Sequence, residues 1–333
     1  MLNTRFSVLL CAFLLCLSSL SLGQTTVVSK SNSFCETSLA NQPRPTFFSF
    51  QRYRSGSYRM RASNGEDLII QDNSSISVSL RVPIILRSGL KAFGSLTYYD
   101  EDFEFIKTES SSDFSQALHN KSLRSLNASL YLIKPFQGNL FLLNRWQASL
   151  NGDFNRPNTH QYLNFSVATV LGWRKTSNTI LGLGLFYGVD FDGSSLVPLF
   201  AYQHTFNKFW SVESVLPVQA NVRYFSKNRK NILEAGMKLN GPEYNIHLTY
   251  PSAVSEQFEF ERSEVRWSLH GKREIHDWLW LGLETGVNTP VSTDLRSRNG
   301  NRSLNYTYSA SFFTMFSLFL VPPKKLLERH LGR

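Results

Sequence analysis

The sequence predicts an all-β fold: a closed antiparallel up-and-down transmembrane β-barrel of about 12–14 strands. Three observations carry this. Apolar residues alternate with polar ones over stretches of about 12–16 residues, where globular strands average about 5–6. The connections between these stretches run alternately short and long, as in barrels with tight turns at one end and loops at the other. The chain of 333 residues is 14% aromatic, 42% hydrophobic and only 18% charged, against roughly 25% charge in soluble domains. Its mean hydropathy of −0.21 argues against a bundle of apolar helices.

The chain opens like a secretory leader. Arg5 supplies positive charge, residues 6–20 are almost wholly apolar or small, and Ser21-Leu22-Gly23 set small residues before Gln24. That is the anatomy of a signal peptide. Residues 1–23 are read as signal peptide, 24–45 as an N-terminal periplasmic extension, 46–322 as the barrel and 323–333 as a basic C-terminal tail. Cys11 and Cys16 would leave with the leader. Cys35 then stands alone, and no intramolecular disulfide is available. No later run reaches the ~18 apolar residues of a spanning helix. A spanning chain must then close as a barrel, because lipid offers backbone polar groups no other partner.

The strands follow in order. One is needed near 47–61. The next sets Ile76, Val78, Leu80, Val82 and Ile84 against Ser75, Ser77, Ser79 and Arg81. Leu126, Ala128, Leu130 and Leu132 alternate with Asn127, Ser129 and Tyr131, and Leu163, Phe165, Val167, Leu171 and Trp173 with Asn164, Ser166, Gly172 and Arg174. Residues 209–225 keep one phase through Trp210, Val212, Leu216, Val218, Ala220, Val222 and Tyr224. They are read as one strand, with Pro217 marking a bulge or shallow kink. This makes 226–230 an outer connection and 240–242 a short turn. The last strand puts Tyr306, Tyr308, Ala310, Phe312, Phe316, Leu318 and Leu320 on one face. Long polar loops are expected at 100–121, 151–160, 190–195, 251–261 and 288–302.

With the apolar face in lipid, the polar face lines the lumen. Arg81, Arg124, Arg145, Arg174, Arg223, Lys238 and Arg266 are assigned there, with Glu234, Glu264 and Glu284. A lipid-facing Arg or Lys costs ~2–4 kcal/mol at mid-membrane, so charge gathered on one phase marks the inside. Two readings stay open. Arg and Glu of neighbouring strands pair and fill the lumen, or a surplus of cations makes a constriction that attracts anions.

The net charge of +10 shows no basic cluster with interleaved aromatics, so nucleic acid is not expected as a partner. The expected partners are outer-membrane lipid, lipopolysaccharide phosphates beside basic loops, and the barrel-assembly machinery. No cofactor, metal site or catalytic residue is assigned. The seven His residues lack metal-ligand spacing, and no Gly-x-Ser-x-Gly or phosphate loop occurs. His204 with Ser211 and His276 with Asp277 fit solvated turn positions better than catalysis. The chain is thus expected to be non-enzymatic: a narrow pore for small, anionic solutes or a structural barrel. The alternative is an adhesin acting through its long loops; a lipid-modifying enzyme is the remaining one.

Residues 196–244 resemble an uncharacterised family of outer-membrane barrels, a domain of unknown function common in Bacteroidota. The resemblance rests on Pro198-x-Phe200, Asn207-x-x-Trp210, Leu216-Pro217, Arg223-Tyr224, Gly236 and Gly241-Pro242-x-Tyr244. Leu22-Gly23-Gln24 is similar to leader ends of exported proteins in that phylum. The resemblance implies location and fold, since the family has no established activity. One departure is the basic run beyond Phe319, where many such barrels end in an aromatic residue.

Overall fold

A computed structural model describes residues 43–63, 65, 67–106, 118, 121–155, 159–189, 193–249, 255–297 and 303–323. The expected leader, the extension up to residue 42 and the tail from 324 lie outside these residues. Among the described residues seventeen strands are formed, beginning with β1 (Phe48–Ser55), β2 (Tyr58–Ala62), β3 (Asp67–Arg87), β4 (Leu90–Phe105), β5 (Ser122–Pro135) and β6 (Leu140–Gly152). A 3-10 turn (Thr159–Tyr162) leads to β7 (Leu163–Thr176), β8 (Thr179–Val189) and β9 (Ser194–Thr205). Then come β10 (Trp210–Leu216), β11 (Gln219–Phe225), β12 (Asn231–Asn240) and β13 (Glu243–Thr249). The chain ends in β14 (Ser255–His276), β15 (Leu279–Ser297), β16 (Ser303–Tyr308) and β17 (Ser311–Leu320).

These strands make a closed antiparallel transmembrane barrel with fourteen wall positions. Three pairs of strands share one position each: β1 with β2, β12 with β13, and β16 with β17. Closure comes from β1, which pairs with β3 on one side and β17 on the other. Both ends of the described barrel therefore lie at one rim, here the near end. Large apolar side chains such as Leu183, Leu185, Trp173, Trp210, Trp267, Phe312 and Phe316 stand on the outer surface. Hydrocarbon accepts them there at no cost in water structure.

Two expected turns change places. Residues 209–225 are a hairpin, not one strand: Trp210 faces Tyr224 and Val212 faces Val222. The partners share odd–even parity, so the in–out phase runs unbroken through the turn at Pro217–Val218, and phase alone could not reveal it. The Leu216–Pro217 peptide there is cis. Conversely, residues 240–242 are not a turn. Asn240 and Glu243 both face β14, at Glu264 and Glu261, so β12 and β13 are one wall position bent at Gly241-Pro242. Pro242 cannot donate to a ladder, which suits a bend. The two differences cancel, and the strand number stays even. They also place 226–230 at the near end rather than the far one.

Parts of the expected loops are strand. β4 reaches Phe105, β14 starts at Ser255 and β15 runs to Ser297. Opposite them β10 and β11 have 7 residues each, while β14 has 22 and β3 has 21. One half of the wall therefore projects well beyond the other. In the projecting half the pattern inverts. Tyr58, Met60, Leu68, Ile70, Phe103, Phe105, Tyr244, Ile246, Phe258, Phe260, Leu295, Tyr306 and Tyr308 form a buried apolar core inside, while Arg59, Arg61, Asp67 and Glu104 face out. Arg61 pairs with Asp67 at 2.8 Å on that outer face, and this neighbour holds the Asp67 carboxyl below its ordinary pKa. This collar is a water-soluble barrel mounted on a membrane one, held by burial of apolar surface that the lipid-facing belt lacks.

The inversion is made by local breaks. The inward phase shifts at Gly56–Ser57, at the bulge between Ile70 and Asp72, between Asn288 and Thr293, and at Ser309–Ala310. Tyr306 and Tyr308 are consequently inside, not on the face of Phe312 as the uninterrupted alternation suggested. Over the shorter half, β13 leans across to β6. The two meet in a single parallel bridge, Asn245 with Gly152, and the Asp153 N–H donates to the Asn245 carbonyl at 3.2 Å.

Candidate functional site

The lumen has two charged layers with a chamber between them. Nearest the near end, β10, β11, β12, β14 and β15 carry a cross-strand row. Arg223 lies opposite Glu234, Glu234 opposite His270, and His270 opposite Glu284. Arg223 bonds Glu234 at 2.6 Å and Glu213 at 3.2 Å, and Lys272 bonds Glu234 at 2.7 Å. His270 lies 3.5 Å from Glu284. Below them Phe225, Ile232, Trp280 and Val321 pack together. Arg44, just before β1, reaches Glu274 at 3.1 Å, Asp277 at 3.0 Å and the Pro322 carbonyl at 2.9 Å.

The second layer lies under the collar. Arg262 bonds Glu101 at 2.6 Å, and Glu101 also accepts from Asn73 and from the Tyr244 hydroxyl, both at 2.9 Å. Glu264 takes Arg266 at 3.4 Å, Asn240 at 3.0 Å and the Tyr308 hydroxyl at 3.2 Å. Burial drives the Tyr244 phenol well above its ordinary pKa, and the Glu101 charge adds to this. Tyr244 therefore stays a donor. Buried charges persist only when paired and hydrogen-bonded, as these are.

Between these layers lies a chamber of about 640 Å³. Its wall is built by the inward positions of β3 to β6: Ser75, Ser77 and Ser79, then Ser95 and Thr97, then Ser125, Asn127 and Ser129, then Gln147 and Ser149. Arg81, Arg145, Lys238 and Arg266 also line it. Arg81 and Arg145 lie 5.2 and 5.7 Å from the Tyr131 ring centre. Arg145 also donates to Gln147. Arg266 packs on Tyr53 and Phe313 at 4.7 and 4.8 Å. Among the described residues Arg266 has a carboxylate partner, whereas Arg81, Arg145 and Lys238 have none within ion-pair distance. The chamber reaches the far rim on the short side. Phe165 and Val189, opposed at the far ends of β7 and β8 and facing outward, border it together with Asn164 and Gly188.

Of the ten charged residues assigned to the lumen, nine face inward. Arg81, Arg145, Lys238 and Arg266 meet in the chamber. Glu264 forms its roof, and Arg223, Glu234 and Glu284 form the near-end row. Arg174 shares the inward face of β7 with Gly172, close to the near rim. Arg124 is the correction. It shares its face with the lipid-facing Leu126, while Leu123 and Ser125 point inside. It stands at the far edge of the belt, 3.8 Å from Asp100 on the neighbouring strand, where a long side chain reaches water.

The sequence reading missed Glu101 and Arg262, which it placed in or beside loops. The alternation Phe103-Glu104-Phe105 and Phe258-Glu259-Phe260-Glu261-Arg262 was the available signal. It also missed the latch of the β6–β13 seam. Asp153 accepts from the His247 N–H at 2.9 Å and lies 3.2 Å from its ring Nδ1 and 3.3 Å from Lys121. Lys121 donates to the His247 carbonyl, and the Tyr162 hydroxyl lies 3.3 Å from His247. Burial alone would raise the Asp153 pKa, but the His247 hydrogen bonds and the Lys121 charge bring it below the ordinary value. His204 bonds Thr179 at 2.9 Å, and His276 packs on Trp278. Among the described residues no group of three or more His, Cys, Asp or Glu is placed to hold a metal ion.

A family model described as a domain of unknown function (DUF6268) matches residues 49–317. A comparison with curated proteins returns no match. Among solved structures, the chain is similar to the toluene transporter TodX of P. putida, with 10% identity and a TM-score of 0.41, covering 85% of this chain and 92% of that one. The β domain of the Bordetella autotransporter BrkA gives 13% identity and 0.31, covering 82% and 99%. The outer membrane protease OmpT from Escherichia coli gives 10% and 0.30, covering 85% and 100%.

Proposed function

Because the chain belongs to this domain-of-unknown-function family, whose name carries no activity, we propose its function from the chamber: it is an outer-membrane barrel that passes small anionic solutes through a narrow lumen, without covalent chemistry. The far end faces outward in this reading, since both ends of the barrel return to the near rim. The observation that carries it is the chamber itself, where Arg81, Arg145 and Lys238 stand among hydroxyl and amide side chains and outnumber the carboxylate of the lining, Glu243. Rings of Arg and Lys favour anions in pores. The buried core inside the projecting half of the wall favours a route along the short side, past Asn164 and Gly188.

Planar-bilayer recording of the purified full chain tests this. Small conductance with anion preference is expected, and Arg81→Gln with Arg145→Gln and Lys238→Gln should abolish the preference while channels still open. A chain that inserts and never conducts overturns the reading.

A further inference from the structure

The chamber is lined by more neutral hydrogen-bonding side chains than an anion filter needs. Resting on the reading above, we propose that it binds a polyhydroxylated anion, a sugar bearing a carboxylate or phosphate, with the acid group held by Arg81 and Arg145 and the hydroxyls by the serine and amide wall of β3 to β6.

The argument starts from charge. Arg223, Arg262 and Arg266 each meet a carboxylate. Arg81 from β3 and Arg145 from β6 instead both lie over one ring, Tyr131 of β5. That arrangement leaves guanidinium N–H groups for another acceptor, and the planar fork matches a carboxylate or phosphate. Lys238 approaches from β12 on the far wall, so a small anion in the chamber has cations on two sides.

A pore for simple ions needs only these cations. The opposite requirement, many neutral groups in fixed places, is met by the wall. Gln147 donates to Asn127 at 3.2 Å and to Ser149 at 2.8 Å, and accepts from Ser129 at 3.3 Å. Asn127 donates to Ser125 at 2.8 Å, and Ser79 and Thr97 share a bond of 2.9 Å. Each hydroxyl offers one donor and two acceptor sites, so the network is ordered yet not saturated. Such a surface exchanges hydrogen bonds with ligand hydroxyls without reorganising, which lowers the cost of binding. The volume, about 640 Å³, lies within the ~300–1,000 Å³ of small-molecule sites. The lining includes the rings of Tyr53, Tyr99, Tyr131, Phe165, Phe186 and Tyr244, with Val189 and Met315, but hydroxyl, amide and charged side chains outnumber these apolar ones.

Calorimetric titration of the detergent-solubilised full chain decides it, with D-glucuronate, D-glucose 6-phosphate, D-glucose, acetate and inorganic phosphate as probes. Saturable binding of glucuronate or glucose 6-phosphate is expected, at least ten-fold tighter than glucose, acetate or phosphate. Arg81→Gln with Arg145→Gln should lose at least ten-fold for the sugar anions. Asn127→Ala should weaken the sugar anions yet leave acetate unchanged. Heat-modifiable gel migration checks that each variant remains a barrel, and Arg81→Lys, which keeps the charge but not the planar fork, should bind more weakly than the unmodified chain and more tightly than Arg81→Gln. Acetate or phosphate binding as tightly as the sugar anions would reduce the chamber to a simple anion site and overturn the proposal, as would no binding of any probe. Anion-selective conductance without sugar-anion binding rejects this inference alone; binding without conductance rejects only the pore.

Discussion

Phe260→Ala is expected to loosen the collar without dissolving the membrane barrel. Phe260 is 1% exposed, inside the collar core. Its ring lies edge-on to Phe103 at 6.2 Å and stacks on Tyr244 at 6.4 Å. Truncating such a side chain costs about 3–5 kcal/mol, the transfer loss plus the cavity left behind. At about 1.4 kcal/mol per decade, the open collar becomes roughly 100- to 4,000-fold more populated. Cleavage by a protease added at the far end follows this population when opening is fast relative to cutting. The assay is limited proteolysis of the folded chain in detergent, with heat-modifiable migration as the control for the wall. Trp267, 51% exposed on the outer face, supplies the contrast. Trp267→Ala should leave collar cleavage unchanged, since its ring meets hydrocarbon. Equal protection of Phe260→Ala and the unmodified chain, with the wall intact, would refute a collar held by apolar burial.

Three further outcomes follow from the same geometry. Arg262→Met should strand Glu101 as a buried charge and destabilise the collar by about 3–5 kcal/mol, while Arg262→Met with Glu101→Gln should recover most of it; denaturant titration reads both, and equal losses refute the pairing. Gly152→Ala should part β6 from β13, because a Cβ there runs into the Asn245 carbonyl and the Tyr162 ring; faster hydrogen exchange at Asn245 and Asp153 is the readout, and an unchanged rate sinks the close-approach argument. The Asp153 latch has a sign in pH. Its folded pKa is lowered, so its contribution is present above the unfolded value of about 4 and fades as pH falls through the folded value. Protease nicking of 153–162 should therefore rise only in acid, and Asp153→Asn should flatten that dependence; nicking that rises above neutral pH would contradict it.

The barrel was legible in the sequence because alternation reports the two faces of a strand directly. Leu80 and Ser79, or Trp173 and Gly172, declare lipid and lumen with no further information. Evenness of the strand number followed from both ends returning to one rim. What alternation cannot report is a change of partner. The hairpin at Pro217 preserves parity, so it looked continuous; the bend at Gly241-Pro242 carries the residues of a turn, so it looked like one. The collar was hidden for a different reason. Its strands alternate as regularly as the belt, but with Phe103 and Phe258 inside and Glu104 and Glu259 outside, and a reading that equates apolar with lipid sends those segments to loops. The same equation would have caught Arg124, whose parity matches Leu126. The chamber cations were visible as types and phase. That three of them lack carboxylates nearby depends on cross-strand register, which no single strand reveals.

The unequal height of the wall gives this molecule a front and a back. In the proposed orientation, antibodies, phage tails or neighbouring surface polymers approaching from outside would touch the tips of β3, β4, β14 and β15 long before the far turns among β7 to β11. The recessed half lies beside that tower, so a solute taking the proposed route would have to pass beneath an overhang that large particles meet first.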